Sequence, residues 1–373
     1  MNLNYISILL IALLFNCREA STTAESTETD KTTPTKYEAN NENFQYFGRH
    51  EFLEKKVALI SPAAYVSINF EGDVCHVYLQ AEQVPYNYVS FELDGKYLGR
   101  IKIDSQAMKP YKIEVPSNSK QHHLRIFKES EVFNGPVLFE GIQVVSVLPK
   151  SKDAKYYIEF IGDSITCGAA SDGSTTPCDE GEYFDHENAY YSYGSNVSKA
   201  LNANFALSSV SGIGMYRNWN DENSEEPIMP EVYENLYLNK NQSKKYDFKK
   251  QPDIVSIGLG TNDFSNGDGI KPRLPFNEAK YISNYIAFIK TVYSKYPDTQ
   301  IVLLNSPMIG GNDNKRLVSY LKEVQSHFTS KAKKPVIFEF QQTYMNGCAY
   351  HPSVNEHKTM ASNLTPFLKN LLD

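Results

Sequence analysis

Apolar and polar residues alternate with a period of two from about Asn40 to Pro149. The segments Val57–Ile60, Tyr65–Phe70, Cys75–Leu79, Tyr88–Leu93, Gly99–Ile103, Tyr111–Val115, His123–Phe127 and Val137–Val145 all carry this pattern. Side chains of a strand point alternately to its two faces, so the pattern predicts strands with one covered face. Asp94-Gly95 between two of them is a two-residue hairpin signal. Eight short strands with no helical period between them predict a β-sandwich of jelly-roll type over residues 40–150.

After Asp153 the pattern changes to strands that are apolar throughout, alternating with amphipathic segments. Strands are predicted at Tyr156–Ile161, Phe205–Val210, Asp253–Leu259, Gln300–Leu304 and Val336–Phe340, and helices at Asn188–Leu201, Asn277–Tyr296, Lys315–Lys331 and Asn355–Leu372. In the second helix Tyr281, Tyr285, Ile286, Phe288, Ile289 and Val292 fall on the apolar side. Uniformly apolar strands separated by helices imply a parallel sheet covered on both faces. Five such strands over residues 151–373 suit a flavodoxin-like sheet, whose chemistry collects beyond the C-terminal ends of the strands.

Ahead of both halves lies an apolar run, Tyr5–Phe15, too short to span a bilayer as a helix but suited to a signal peptide. Its Leu14-Phe15-Asn16-Cys17 end resembles a bacterial lipobox, so residues 1–17 are expected to be a lipoprotein signal peptide with Cys17 as the lipid anchor. No Lys or Arg lies in those residues, a departure from the usual basic start; the alternative is a plain secretory signal. Residues 18–39, rich in Ser, Thr and Glu, read as a flexible linker. The protein is expected to be exported, as an outer-membrane or cell-surface lipoprotein or else in periplasmic or secreted form. Membrane contact is expected only through the anchor.

With 37 basic against 44 acidic residues the chain carries a net charge of −7, which argues against nucleic acid as a partner. Cys75, Cys167, Cys178 and Cys348 permit three pairings in an oxidising compartment, and buried free thiols are the alternative. Neither CxxC nor HExxH spacing occurs, so no metal or other cofactor is expected.

Four segments fall where the parallel sheet would place functional loops. Gly162-Asp163-Ser164 follows the first strand, Ser211-Gly212 the second, Gly260-Thr261-Asn262-Asp263 the third, and His351-Pro352-Ser353 precedes the last helix. A serine at a strand-to-helix turn presents its hydroxyl and a free N–H, a glycine lets backbone approach a ligand, and a carboxamide can donate to a developing oxyanion. Taken singly, each has a structural alternative: a helix cap for Ser164, a turn for Gly212. Asp163 reads as a cap or helper for its loop.

In order and placement, however, these segments resemble the four blocks of the SGNH, or GDSL-type, hydrolases. The resemblance implies Ser164 as nucleophile and His351 as general base. It also implies an oxyanion hole made of the N–H groups of Ser164 and Gly212 and the Asn262 side chain. Gly48-Arg49, Phe70-Glu71-Gly72, Asp163-Ser164-Ile165-Thr166-Cys167-Gly168, Glu187-Asn188-Ala189, the run Ser211 to Asn218 and Met229-Pro230 are similar to carbohydrate esterase family 2. That implies deacetylation of xylan- or glucomannan-type polysaccharide or oligosaccharide. Cys348 and Ala349 stand three and two residues before His351, where relatives carry an Asp. The expectation is a Ser164–His351 dyad whose Nδ1 donates to a backbone carbonyl. A distant acid such as Glu356 or Asp268, or a decayed site that only binds glycan, is the competing reading, and an esterase acting on a non-sugar ester is another. Tyr216, Arg217, Trp219 and Tyr350 flank the predicted site and are expected to contact the sugar.

Overall fold

A computed structural model describes residues 33–82, 86–116, 119–241 and 244–373. The signal segment, Cys17 and the linker up to residue 32 lie outside the described residues. The first half forms two antiparallel six-stranded sheets. One runs His50–Leu53, Lys56–Leu59, Val137–Val144, Val74–Ala81, Lys109–Glu114; the other Ser146–Val147, Tyr65–Glu71, Gln121–Lys128, Asn87–Leu93, Lys96–Ile103. This is the jelly-roll strand order. Val57, Leu79, Phe139 and Ile142 from one sheet meet Val66, Phe70, Phe91 and Ile126 from the other in a single buried core. Each inward chain of this size contributes about 1.5–3 kcal/mol through burial.

Four short strands were not legible as alternation: Thr35–Glu38, Gln45–Phe47, His50–Leu53 and Ser146–Val147. They are two to four residues long and mostly half-buried, so no apolar period develops. Thr35–Glu38 corrects the expectation of a linker to residue 39, because it pairs antiparallel with Gly141–Val144. Gly141 makes that pairing possible: at φ +136° a Cβ would lie 1.9 Å from the Tyr37 carbonyl oxygen.

The second half is a five-stranded parallel sheet, ordered Ala203–Ser209, Tyr156–Gly162, Ile254–Gly258, Gln300–Leu304, Val336–Phe338. Numbered within the domain the order is 2-1-3-4-5, the flavodoxin-like arrangement. Helix Glu278–Lys295 buries Tyr281, Tyr285, Phe288, Ile289 and Val292 on one face and Val354–Leu372 covers the other side. Asn277 and Ser353 cap these two helices by accepting from Lys280 N–H and Glu356 N–H. The helix expected at 188–201 begins only at Tyr193, after a 3₁₀ turn Ala189–Tyr191, because Ser192 takes a non-helical backbone (ψ 149°) between them, with its hydroxyl donating to Thr166 O. The helix expected at 315–331 is Gly311–Ser326, its first turn polar and so invisible to the apolar period.

The two domains are docked through buried polar groups. Arg49, fully buried, donates to Ser208 Oγ, Asn235 O and Tyr233 O, and lies 3.9 Å from Glu159. Glu129 accepts from Tyr190 N–H and Arg100 donates to Glu187 O. A buried guanidinium satisfied by this many acceptors fixes orientation, since breaking the set would strand a charge.

Candidate active site

Ser164 opens the short helix Ser164–Cys167 directly after the first strand of the parallel sheet, Tyr156–Gly162. Asp163 caps it by accepting from Ile165 N–H at 3.1 Å. Gly162 is required at this turn because a Cβ there would sit 2.1 Å from Thr166 Oγ1. Being the first helical residue, Ser164 has no preceding turn to take up its N–H.

His351 arrives from the other end of the chain, on the loop before the last helix. Its Nε2 lies 2.9 Å from Ser164 Oγ and its Nδ1 lies 3.0 Å from Ala349 O. A carbonyl can only accept, so Nδ1 carries the hydrogen and Nε2 presents a lone pair to the serine hydroxyl. Burial pulls the His351 pKa below its ordinary value, and the Ala349 carbonyl offsets part of that. The ring is therefore neutral, the form a base needs, through the neutral range.

The histidine loop is held tightly. Cys348 forms a disulfide with Cys178, and its N–H donates to Ala170 O at 2.7 Å. Gly347 N–H donates back to His351 O at 2.7 Å. Between them Ala349 and Tyr350 adopt left-handed backbone, φ +45° and +59°. Two non-glycine residues in that region cost of order 1–3 kcal/mol each, and the turn they make brings the Ala349 carbonyl under the ring. Of the cysteines left open by the sequence, Cys75 and Cys167 are buried free thiols.

No carboxylate hydrogen-bonds His351 among the described residues. Glu356 accepts from Met345, Asn346 and Ser353 N–H as part of a helix capping box. Asp268 accepts from Ile270 and Lys271 N–H and from Asn220 Nδ2.

Gly212, φ +73°, turns the loop after strand Ala203–Ser209, and its carbonyl accepts from Trp219 N–H at 2.7 Å. Asn262 Nδ2 donates to Ile213 O at 2.8 Å and more weakly to Asp163 Oδ2, whose distance of 3.5 Å is at the long limit of a hydrogen bond. A ligand acceptor at ordinary hydrogen-bond distance would compete well with that long contact. Ser164, Gly212, Asn262 and His351 line one cavity of about 580 Å³. A larger cleft, about 820 Å³, opens around Glu92, Arg125 and Lys199 but contains none of these groups.

The residues expected to contact a sugar divide. Trp219 lines the cavity with about half its surface exposed. Tyr350 is 75% exposed and is not among the residues lining the cavity. Tyr216 and Arg217 do not reach the cavity: both are buried, and their role in the fold is to pack and anchor the loop beneath it. Tyr216 stacks edge-on against Phe276 and accepts from Asn277 N–H; Arg217 donates to Asp263 O and Leu274 O and pairs with Glu222. The cause is Asp263, whose carboxyl accepts from the N–H groups of Met215, Tyr216 and Arg217 and turns that strip inward. Burial pushes the carboxyls of Asp263 and Asp163 up to about 6 and about 7. Phe133, Tyr183, Glu225 and Glu226 line the cavity and were missed. Phe133 comes from the sandwich domain and is 70% exposed, and a lone aromatic after Lys128-Glu-Ser-Glu-Val was the signal available.

Comparison with known proteins agrees with this architecture. Residues 46–149 match the family model "carbohydrate esterase 2 N-terminal", and residues 158–364 match "GDSL-like lipase/acylhydrolase". An acetylxylan esterase / glucomannan deacetylase of Cellvibrio japonicus is 29% identical over 322 residues, which is 83% of this chain and 84% of that protein. A family two carbohydrate esterase structure from Cellvibrio japonicus superposes with a TM-score of 0.80 at 25% identity, covering 91% of this chain and 98% of the other. One from Clostridium thermocellum, in complex with cellohexaose, gives 0.78 at 28% identity, covering 88% and 99%.

Proposed function

The chain belongs to the GDSL-like lipase/acylhydrolase family with a carbohydrate esterase 2 N-terminal domain, a carboxylic ester hydrolase, and from that premise we propose that it removes O-acetyl groups from xylan- or glucomannan-type polysaccharide or oligosaccharide. The observation that carries the reading is the 2.9 Å contact between Ser164 Oγ and a correctly tautomeric His351, at a cavity of carbohydrate size. Ser164 Oγ attacks the acetyl carbonyl as Nε2 takes its proton. The resulting oxyanion is met by the N–H groups of Ser164 and Gly212 and the weakly held second amide hydrogen of Asn262. The tetrahedral intermediate collapses, His351 gives the proton to the departing sugar oxygen, which leaves as a hydroxyl, and acetyl-Ser164 remains. Water, deprotonated by the same ring, releases acetate. The imidazolium is stabilised only by the Ala349 carbonyl dipole, which orients Nδ1–H without a charged partner.

Trp219, Tyr183 and Phe133 offer exposed aromatic faces at the cavity, the surfaces on which pyranose rings stack, which supports a sugar over a long acyl chain. Acetate release from acetylated xylan and glucomannan, with NMR identifying the freed hydroxyl, tests the assignment. Release should be abolished in Ser164→Ala with folding retained, and wild-type-like turnover in that variant would refute it. We also propose that Cys17 carries a lipid anchor. Cys17→Ser should move the protein from membranes to the soluble fraction, and an unchanged partition would overturn that.

A further inference from the structure

The loop that carries Gly212 is not held by its own domain alone. Glu131, on the sandwich domain just after strand Gln121–Lys128, reaches across the interface to Ser211, the residue before Gly212. Its Oε2 accepts from Ser211 N–H at 2.7 Å, and its Oε1 accepts from the Ser211 hydroxyl. The backbone of Glu131 is held in turn: its N–H donates to Glu187 Oε2 at 3.1 Å, and its carbonyl accepts from the buried Lys128 ammonium at 2.7 Å. Glu131, Glu187 and Lys128 are all buried.

We propose that Glu131 is a positioning residue for the oxyanion hole, so that the sandwich domain is a working part of the catalytic machinery and not only a neighbour. This rests on the reading of Gly212 N–H as an oxyanion donor. That N–H belongs to the Ser211–Gly212 peptide, so holding Ser211 on one side, through its own N–H and side chain, narrows the directions in which it can point. The other side is fixed by Trp219 N–H on Gly212 O. Buried Val210 and Ile213 anchor the two ends of this turn, whereas at Gly212 itself the nearest atom to a built Cβ is Trp219 Cβ at 3.9 Å, so no side chain packs against its peptide from that side. The two-pronged carboxylate clamp holds the residue that leads into this peptide, and so limits the rotation that would swing Gly212 N–H away from the site. An anionic clamp beside an oxyanion hole would oppose catalysis unless offset. Here the Lys128 ammonium, its pKa lowered by burial to about 8, sits on the Glu131 carbonyl, and burial together with Glu131 pushes the Glu187 carboxyl well above its ordinary range, which disfavours a second charge. A donor held in place before reaction costs no reorganisation when charge develops, which is where most of its value lies.

The test uses the full chain and 4-nitrophenyl acetate, with methylboronic acid as a probe whose tetrahedral Ser164 adduct places an oxygen in the hole. Glu131→Ala should lower kcat by about ten- to a hundredfold, less than the 10²–10³ lost with a whole donor, with KM within about threefold. Boronate affinity should fall in step with kcat. Glu131→Gln keeps an acceptor for Ser211 N–H and should recover most of the rate, which simple loss of packing would not explain. Wild-type kcat in folded Glu131→Ala, or a loss confined to KM with boronate binding intact, would overturn the proposal. Should Glu131→Ala fail to fold, Ser211→Ala decides: it removes one prong, and kcat should fall several-fold, whereas wild-type kcat refutes the clamp. Ser164→Ala separates the two levels. If it stays active the hydrolase reading fails; if it is dead while Glu131→Ala is fully active, only the clamp fails.

Discussion

The disulfide between Cys178 and Cys348 ties the loop of the proposed base to a loop 170 residues earlier, and cutting it should damage both stability and turnover. Closing a loop of that length removes about 5 kcal/mol of chain entropy from the unfolded state, with about 2–5 kcal/mol usual in practice. An unfolding entropy of ~2.1 cal/mol/K per residue over roughly 340 folded residues is about 0.7 kcal/mol/K, so the midpoint should drop by about 3–7 °C. The catalytic effect has a separate origin. Ala349 and Tyr350 are held in left-handed backbone immediately beside the bridge. Once released they relax, the Ala349 carbonyl leaves Nδ1, and the ring loses its 2.9 Å alignment with Ser164. A misplacement of about 1 Å costs up to ~10² in rate, so kcat should fall at least about tenfold. The Cys178→Ser/Cys348→Ser double variant, followed by thermal circular dichroism and by acetate release at a temperature where it is fully folded, reads both effects. A midpoint within about 1 °C of wild type would refute the entropic argument, and unchanged kcat would show that the strained turn holds without the bridge.

The pH profile has a definite sign. His351 acts as a base only when neutral, and burial lowers its pKa from 6.5, so kcat/KM should be full at neutral pH and fall on acidification with a midpoint below 6.5. A midpoint at or above 7 in a pH–rate series would mean that an unseen carboxylate supports the imidazolium. Trp219→Ala should raise KM for acetylated oligosaccharide by about fivefold or more, equivalent to about 1 kcal/mol or more of lost stacking, while leaving 4-nitrophenyl acetate nearly unaffected. An equal loss on both substrates would show that Trp219 acts through the Gly212 loop, to which its N–H is bonded.

What the sequence displayed and what it concealed follow from the range of the interactions. Strands with five or more apolar or alternating positions, such as Val74–Ala81 and Tyr156–Gly162, announce themselves because burial imprints a period. Thr35–Glu38 does not, since it is stabilised by a partner strand about a hundred residues away and by a glycine in that partner. The same distinction runs through the site. Ser164, Gly212, Asn262 and His351 sit in local motifs, so type and spacing point to them. Tyr216 and Arg217 share the flanking sequence of Gly212, but a buried carboxyl from another loop, Asp263, turns them inward. Glu131 and Phe133 come from the other domain, and nothing local couples them to Ser211 or to the cavity. The Cys178–Cys348 pairing was one of several open pairings, because connectivity is decided by the fold and not by spacing.

The central claim is that Ser164 and His351 hydrolyse the acetyl ester with a backbone carbonyl in place of an acid. It is tested most directly by acetate release from acetylated glucomannan in His351→Ala, Glu356→Gln and Asp268→Asn measured side by side. The account predicts that His351→Ala loses about three orders of magnitude or more in kcat/KM, while each carboxamide variant stays within about tenfold of wild type, since a carbonyl is untouched by either. A carboxamide variant as inactive as His351→Ala, with its fold intact, would reveal a third catalytic member and contradict the dyad.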